Sequence, residues 1–139
     1  LARLADAPGA GFDAAEAARA MAVHARALAE PLGESAVERL GAAFEGLSER
    51  LRDVRGATPL AAENGFYRAL ELHGGLAGRP WYKNRLWTAG LETGYSSETF
   101  PSLRAAAAKN PDALERELGA FIEALRGLPR REDAPAAAR

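Results

Sequence analysis

The apolar residues between positions 37 and 54 recur at alternating spacings of three and four, which indicates one long amphipathic helix. The stripe continues for about five turns at 3.6 residues per turn, and the opposite face is charged. Such a helix is stable in water only if its stripe packs against other elements. The chain is therefore predicted to form a packed helical domain. The stripe consists of Val37, Leu40, Phe44, Leu47, Leu51 and Val54.

A second stripe of this kind predicts a last helix near the end of the chain. Asn110 is the expected N-cap and Pro111 takes the first helical position. A short helix from Pro101 to Lys109 is predicted just before it. The stripe consists of Leu114, Leu118, Phe121, Leu125 and Leu128.

Two more helices are predicted upstream. The first is capped by Asp13 and continues to Glu30, where Pro31, Leu32 and Gly33 end it; its expected apolar face is Ala17, Met21, His24 and Leu28. The third begins after Thr58, with Pro59 in its first turn, and stops at Gly74 and Gly75. Its expected inward residues are Leu60, Phe66, Leu70 and His73.

Four main helices without a strand pattern predict an all-α fold. We expect a four-helix bundle, with a long irregular aromatic-rich loop between the third and last main helices. Residues 13–128 are assigned to the domain, 1–12 to a linker by their Pro and Gly content, and 129–139 to a disordered tail. Because the chain begins at Leu1 without Met, we expect it to be a piece of a longer protein.

Composition excludes several functions. The 139 residues have a formal net charge of -1, so no electrostatic argument supports nucleic-acid binding or contact with an anionic membrane. The absence of cysteine removes disulfide and thiolate chemistry but leaves the compartment open. No apolar run is long enough for a membrane span.

Catalytic motifs are also lacking. His24 and His73 are the only histidines, and without cysteine or an HExxH spacing they predict no zinc site; a position in or at the rim of the core suits His24 better, and a helix end suits His73. Ser96 and Ser97 have no histidine nearby in the sequence and no nucleophile-elbow motif. We therefore expect no catalytic residue, no metal site and no cofactor in this chain.

The loop from Gly75 to Phe100 contains the remaining candidate functional residues. Arg79, Trp81 and Trp87 are predicted to structure the loop, with the rings packed on the bundle and Arg79 satisfying loop carbonyls. Tyr95 is different, because it follows Gly94 among small polar residues and could present its hydroxyl to a ligand. The alternative is that Tyr95 packs inward and only shapes the loop.

Three blocks, which follow one another along the chain in the family's order, resemble the transferrin receptor-like dimerisation domain. Residues 75–82, GLAGRPWY, are similar to the family's GLPGRPWY/F segment; residues 89–95, AGLETGY, resemble its AP…TGY loop; and residues 98–106, ETFPSLRAA, resemble its E-S/T-F-P-G-I/V-x-x-A block. Upstream, RLADAP and Phe12-Asp13 resemble the junction between that family's peptidase domain and this domain.

The resemblance implies a C-terminal helical dimerisation domain of a glutamate carboxypeptidase II-like metallopeptidase. Its partners would be a second copy of itself and the parent's own peptidase domain, which would hold the zinc. In such peptidases a Lys-Tyr pair in this loop binds the substrate's terminal carboxylate; here the pair is Gly94-Tyr95, so the tyrosine carries over and the lysine does not. Asn84 and residues 87–89 also depart from the family's pattern.

Two alternatives stay open at the level of sequence. The same domain could belong to a non-catalytic, receptor-like parent that binds only proteins, or the chain could be an unrelated helical interaction module. The parent's compartment is not determined; secretion, a periplasmic location and a membrane anchor are all compatible with the resemblance. Two-zinc ligands in an upstream α/β domain would distinguish an active peptidase from a receptor.

Overall fold

A computed structural model describes residues 13–53, 66–68, 70–90 and 97–128. This part of the chain is mostly helical and includes one small two-stranded sheet. None of the helices in the described ranges is both long and apolar enough to cross a membrane. The elements in chain order are α1 (Ala14–Arg26), α2 (Ala29–Leu32), α3 (Glu34–Asp53), β1 (Trp87–Ala89), β2 (Ser97–Thr99), α4 (Pro101–Lys109) and α5 (Pro111–Arg126).

The first helix begins at the predicted cap but ends earlier than predicted. The Asp13 carboxylate accepts hydrogen bonds from the backbone N–H groups of Ala15 and Glu16 at 2.9 and 3.1 Å. α1 ends at Arg26, and the short α2 then includes Pro31, which helices tolerate in the first turn because its missing N–H would have no partner there. The chain turns at Gly33, where φ is +82°.

The buried face of α1 is made of alanines, contrary to the predicted face. Ala18, Ala22 and Ala25 are fully buried against α3, whereas the predicted His24 is exposed and Ala17, Met21 and Leu28 are half-buried at the edge of the core. Small side chains let the two helices approach closely: a Cβ on Gly41 of α3 would lie 3.7 Å from the Ala22 carbonyl oxygen. The larger residues therefore flank the contact instead of filling it.

The predicted stripes of α3 and α5 are confirmed as core. Phe44, Leu40 and Leu47 of α3 are fully buried, as are Leu118, Phe121 and Leu125 of α5. Leu51 and Leu114 are half-buried at the margin, and Val54 lies outside the described residues. The Asn110 side chain caps α5 by accepting a hydrogen bond from Ala113 N at 2.8 Å, also as predicted.

Arg50 of α3 joins the two long helices at the end of α5. Its guanidinium donates to the carbonyl oxygens of Leu125 and Leu128 at 2.9 and 3.0 Å. The Leu125 carbonyl also accepts from Leu128 N at 3.3 Å, and a cation at the C-terminal end of a helix complements the helix dipole.

The region between α3 and α4 differs from the prediction in two ways. The third helix was expected to continue to His73, but the helical residues 66–68 lead into a turn at Leu70, and His73 is exposed. The part that would begin after Thr58 lies outside the described residues. The loop was expected to lack strands, yet β1 and β2 pair antiparallel within it. Phe66 and Leu70 are buried, as predicted.

Three phenylalanines from separate elements meet at the centre of the core. Phe44 of α3, Phe121 of α5 and Phe100, just before α4, have ring centroids 5.9 to 6.0 Å apart. Two of the three ring pairs are edge-to-face, an arrangement that aromatic quadrupoles favour. Phe100 has a left-handed backbone, with φ of +51°, although it is not a glycine. The buried ring thus holds the start of α4 in a strained conformation.

Candidate interaction surface

Residues 70–90, with β2 paired to their end, form a folded unit that we call the aromatic platform. Its two arms are joined by backbone hydrogen bonds from Leu72 N to Lys83 O at 2.7 Å, from Leu76 N to Tyr82 O at 2.9 Å and from Arg85 N to Leu70 O at 2.8 Å. The tip turns twice at Arg79, whose N–H donates to Leu76 O and whose carbonyl accepts from Tyr82 N. The segment predicted to be irregular is therefore an ordered hairpin-like structure.

Gly75 makes this tight turn possible. Its φ is +70°, and a Cβ at this position would overlap the backbone of Pro80. Only glycine combines the left-handed conformation with so close an approach. Gly75 was predicted as a helix stop; its observed role is to let the two arms of the platform come together.

Asn84 shapes the path into β1. Its side-chain oxygen accepts hydrogen bonds from Leu86 N at 2.8 Å and from Trp87 N at 3.2 Å, which is an Asx turn. Pairing then runs Trp87 with Thr99, Thr88 with Glu98 and Ala89 with Ser97. Because alternate side chains of a strand point to opposite faces, Thr88 is buried while Trp87 is 53% exposed.

Arg85 fastens the platform to α5. Its guanidinium donates to the Glu117 carboxylate at 2.8 Å, and both side chains are mostly shielded from water. The guanidinium carbon also lies 5.5 Å from the centroid of the Phe121 ring, within the range of a cation–π interaction. In addition, the backbone N–H of Phe100 donates a hydrogen bond to the carbonyl oxygen of Leu86 at 2.9 Å. These contacts attach the platform to the helical core.

Both tryptophans of the platform lie on the surface. Trp81 is 69% exposed and contacts Tyr82 with ring centroids 6.2 Å apart; Trp87 is 53% exposed. This differs from the packed position expected for rings that would pin the loop to the bundle. Tyr67, 50% exposed, lines a shallow cleft together with Lys83 and Asn84 of the platform. The platform and the neighbouring Tyr67 therefore present three large aromatic side chains to solvent.

The residues proposed to bind substrate, Gly94 and Tyr95, lie outside the described residues. The chain that holds them leaves β1 after Ala89 and returns at Ser97, and these two residues are paired. Arg79 lies at the tip of the platform, and its side-chain role stays a prediction.

The described residues contain no cluster of three or more His, Cys, Asp or Glu side chains that could hold a metal ion. His24 is exposed on α1, with its ring 6.5 Å from Phe100, and His73 is exposed in the turn. Their positions give no catalytic arrangement in the ranges that the structure covers. The chemistry that this surface supports is apolar and aromatic contact.

Sequence reasoning missed Arg85, Asn84 and Arg50 as organising residues. Arg85 and its partner Glu117 are 32 positions apart, and Arg50 and Leu128 are 78 apart, so no local pattern links them. The turn at Asn84 could have been predicted locally, because the side-chain oxygen of Asn often accepts a hydrogen bond from the backbone N–H two residues later in the chain.

Comparison with known proteins supports a family for this region. Residues 63–128 match the family model of the transferrin receptor-like dimerisation domain. The match contains the whole aromatic platform, α4 and α5, and it confirms over these residues the domain predicted from the three loop blocks. No curated protein and no solved structure matches the chain.

Proposed function

Starting from the transferrin receptor-like dimerisation domain at residues 63–128, which supports a role in self-association, we propose that the aromatic platform is the surface through which the chain pairs with a second copy. The observation that carries this proposal is the exposure of Trp81 and Trp87 on a platform whose arms are joined by backbone hydrogen bonds. Tryptophan and tyrosine are enriched among the residues that dominate binding energy at interfaces. A scaffold that is already ordered loses little entropy when it binds.

Sedimentation velocity over a concentration series tests this proposal. The wild-type chain should show reversible dimers, and the double variant Trp81→Ala/Trp87→Ala should weaken the dimer at least about thirtyfold, as expected when interface anchors of 2 kcal/mol or more are removed. Val23→Ala is the matched control, because Val23 is also a large exposed apolar residue, at 64%, but belongs to α1.

Circular dichroism of each variant verifies that the helices are retained. Dimers of unchanged affinity in the double variant would refute the platform as the interface. A wild-type chain that stays monomeric at several hundred micromolar would mean that pairing requires the longer parent protein.

For the parent protein, we propose a glutamate carboxypeptidase II-like metallopeptidase whose catalytic domain holds the zinc. In this proposal residues 13–128 form the accessory domain, in which a further helix beginning after Thr58 completes a four-helix bundle. Residues 1–12 connect it to the peptidase domain. The resemblance of the RLADAP segment to the family's domain junction supports this arrangement.

Within that parent, we propose that the Tyr95 hydroxyl donates a hydrogen bond to a substrate carboxylate. Hydrogen bonds to charged groups contribute about 1.5–3 kcal/mol, so Tyr95→Phe should raise KM by roughly ten- to a hundredfold and leave Tm unchanged. A lower Tm with an unchanged KM would instead make Tyr95 a structural residue. Gly94 cannot supply the cation of a Lys-Tyr pair. The tyrosine would therefore increase the affinity for the substrate carboxylate through a hydrogen bond alone, without an ion pair.

Gly94 also favours a second candidate function for the parent protein. A parent without the lysine could be a non-catalytic, receptor-like protein in which this domain only pairs with proteins. Reading the parent gene upstream decides between the two, because an active peptidase requires a complete set of two-zinc ligands.

A further inference from the structure

The junction between β2 and α4 contains a strained backbone. Among the described residues, Phe100 is the only one other than glycine with a positive φ. A residue that precedes proline ordinarily has an extended backbone, so the left-handed Phe100, followed by Pro101, is unfavourable for two reasons. The strain would be relieved if β2 continued straight into an extended Phe100.

Two buried hydroxyl groups beside this junction lack hydrogen-bond partners. The side-chain oxygens of Thr88 and Ser102 have almost no accessible surface, and within the described ranges they are the only such buried side-chain atoms without a partner. Ser102 follows Phe100 by two residues. Thr88 pairs with Glu98, which precedes Phe100 by two. Enclosed hydroxyls of this kind cost free energy that they would regain in contact with water.

A small set of contacts opposes this cost. The Phe100 ring is fully buried in the cluster of three phenylalanines. The Phe100 N–H donates to Leu86 O at 2.9 Å, and Arg104 Nε of α4 donates to Thr99 O at 2.9 Å. If Phe100 became extended, its ring would leave the cluster and the two hydroxyls could reach water. Burial of the ring is therefore opposed by backbone strain and by two unpartnered hydroxyls.

We propose that the junction between β2 and α4 is a two-state hinge. In its closed form, which is the one described above, Phe100 is left-handed and its ring is buried. In its open form Phe100 is extended, its ring leaves the core, and the hydroxyls of Thr88 and Ser102 are hydrated. The hinge controls the position of Trp87, because the preceding Leu86 is bonded to Phe100 only in the closed form.

The hinge regulates pairing through Trp87. This regulatory role rests on the proposed function, whereas the hinge itself is a property of the single chain. A second copy that binds Trp87 in its closed position favours the closed form, because a ligand shifts a two-state equilibrium towards the state that it binds better. Pairing therefore lowers the population of the open form.

Relaxation-dispersion NMR of the full 139-residue chain tests the hinge, at a concentration where sedimentation detects only monomers. The amides of Leu86, Phe100, Ser102 and Arg104 should report one shared exchange process on the microsecond-to-millisecond timescale. The amide of Leu47, in the middle of α3, should not report it. Flat dispersion at the junction, or four unrelated rates, would overturn the proposal.

Variants identify the cause of the exchange. Thr88→Val and Ser102→Ala should each lower the open population at least about threefold, because the closed form then lacks one unpartnered hydroxyl. Arg104→Met, which removes a closing hydrogen bond, should raise it. Ser48→Ala is the matched control: the Ser48 hydroxyl is also buried but donates to Ala15 O at 2.7 Å, so its loss should lower stability and leave the junction unchanged. An open population that does not fall in Thr88→Val and Ser102→Ala, or that falls equally in Ser48→Ala, would contradict the hinge.

A concentration series tests the regulatory role. As dimers of the wild-type chain form, its open population should fall at least about threefold, and in Trp81→Ala/Trp87→Ala it should stay constant. A wild-type open population that stays constant while dimers form would refute the coupling. If the wild-type chain forms no dimers, the regulatory role fails together with the pairing of this chain, whereas the exchange in the monomer still decides the hinge.

Discussion

At the scale of single residues, two glycines of the platform have similar backbones but different surroundings. Gly75 and Gly78 have φ of +70° and +79°, so an L side chain is strained at both. A Cβ at Gly75 would overlap the Pro80 backbone, whereas a Cβ at Gly78 would have no atom within 4 Å. The pair therefore separates the cost of the left-handed conformation from the cost of a steric clash.

We predict that Gly78→Ala lowers the free energy of unfolding by about 1–2 kcal/mol, the cost of the left-handed conformation alone. Gly75→Ala should lower it by about 2–5 kcal/mol, because the clash adds an overpacking cost of about 1–3 kcal/mol. Urea unfolding followed by circular dichroism measures both. Equal losses in the two variants would show that the arms can separate to admit a methyl group.

At the scale of elements, the contact between the platform and α5 includes one shielded ion pair. The side chains of Arg85 and Glu117 are 12% and 23% exposed, whereas those of Arg39 and Glu115, which join α3 to α5, are 44% and 58% exposed. The two pairs have nearly the same shortest distance, 2.8 and 2.7 Å, but they differ in their exposure to water; Arg39 also contacts both Glu115 oxygens, and Arg85 also lies over the Phe121 ring.

We predict a coupling energy of about 1–3 kcal/mol for Arg85 and Glu117 in a double-mutant cycle with Arg85→Gln and Glu117→Gln. The same cycle on Arg39 and Glu115 should yield about 0.2–1 kcal/mol, as for exposed pairs. Raising the salt concentration should reduce the second coupling more than the first. A coupling at the platform no larger than at Arg39–Glu115 would mean that other contacts hold the platform in place.

At the scale of the whole molecule, the three-phenylalanine cluster joins α3, α5 and the start of α4. Phe44 is fully buried and contacts both other rings. Arg85 reaches the same cluster from the platform through Phe121. Helices and platform are therefore expected to unfold as one cooperative unit.

We predict that Phe44→Ala lowers the free energy of unfolding by about 3–5 kcal/mol, since it leaves a cavity at the centre of the core. Val23→Ala, at an exposed position, should change it by less than about 0.5 kcal/mol. Amide hydrogen exchange should accelerate in the Phe44 variant both at Leu118 in α5 and at Phe100, whose N–H is bonded to the platform. Faster exchange in α5 alone would show that the platform is an independent unit.

Local patterns in the sequence were sufficient for several elements. The stripe of α3, the stripe of α5 and the caps Asp13 and Asn110 were predicted from spacings of two to four residues, and the structure confirms them. The three sequence blocks in and after the loop also indicated the domain that the family match supports. These signals are readable because helix periodicity, capping and short motifs depend only on neighbours in the chain.

The amino-acid sequence alone was thus sufficient to predict the helical character of the chain and the kind of domain that residues 63–128 form. Tertiary packing was needed to determine that alanines, and not Met21 and Leu28, form the contact face of α1, because the distance between two helix axes depends on the side chains of both helices. It also decided that Arg85 pairs with Glu117 and that Phe100 takes a left-handed backbone. These features arise from residues far apart in the chain, whose mutual packing no local spacing records.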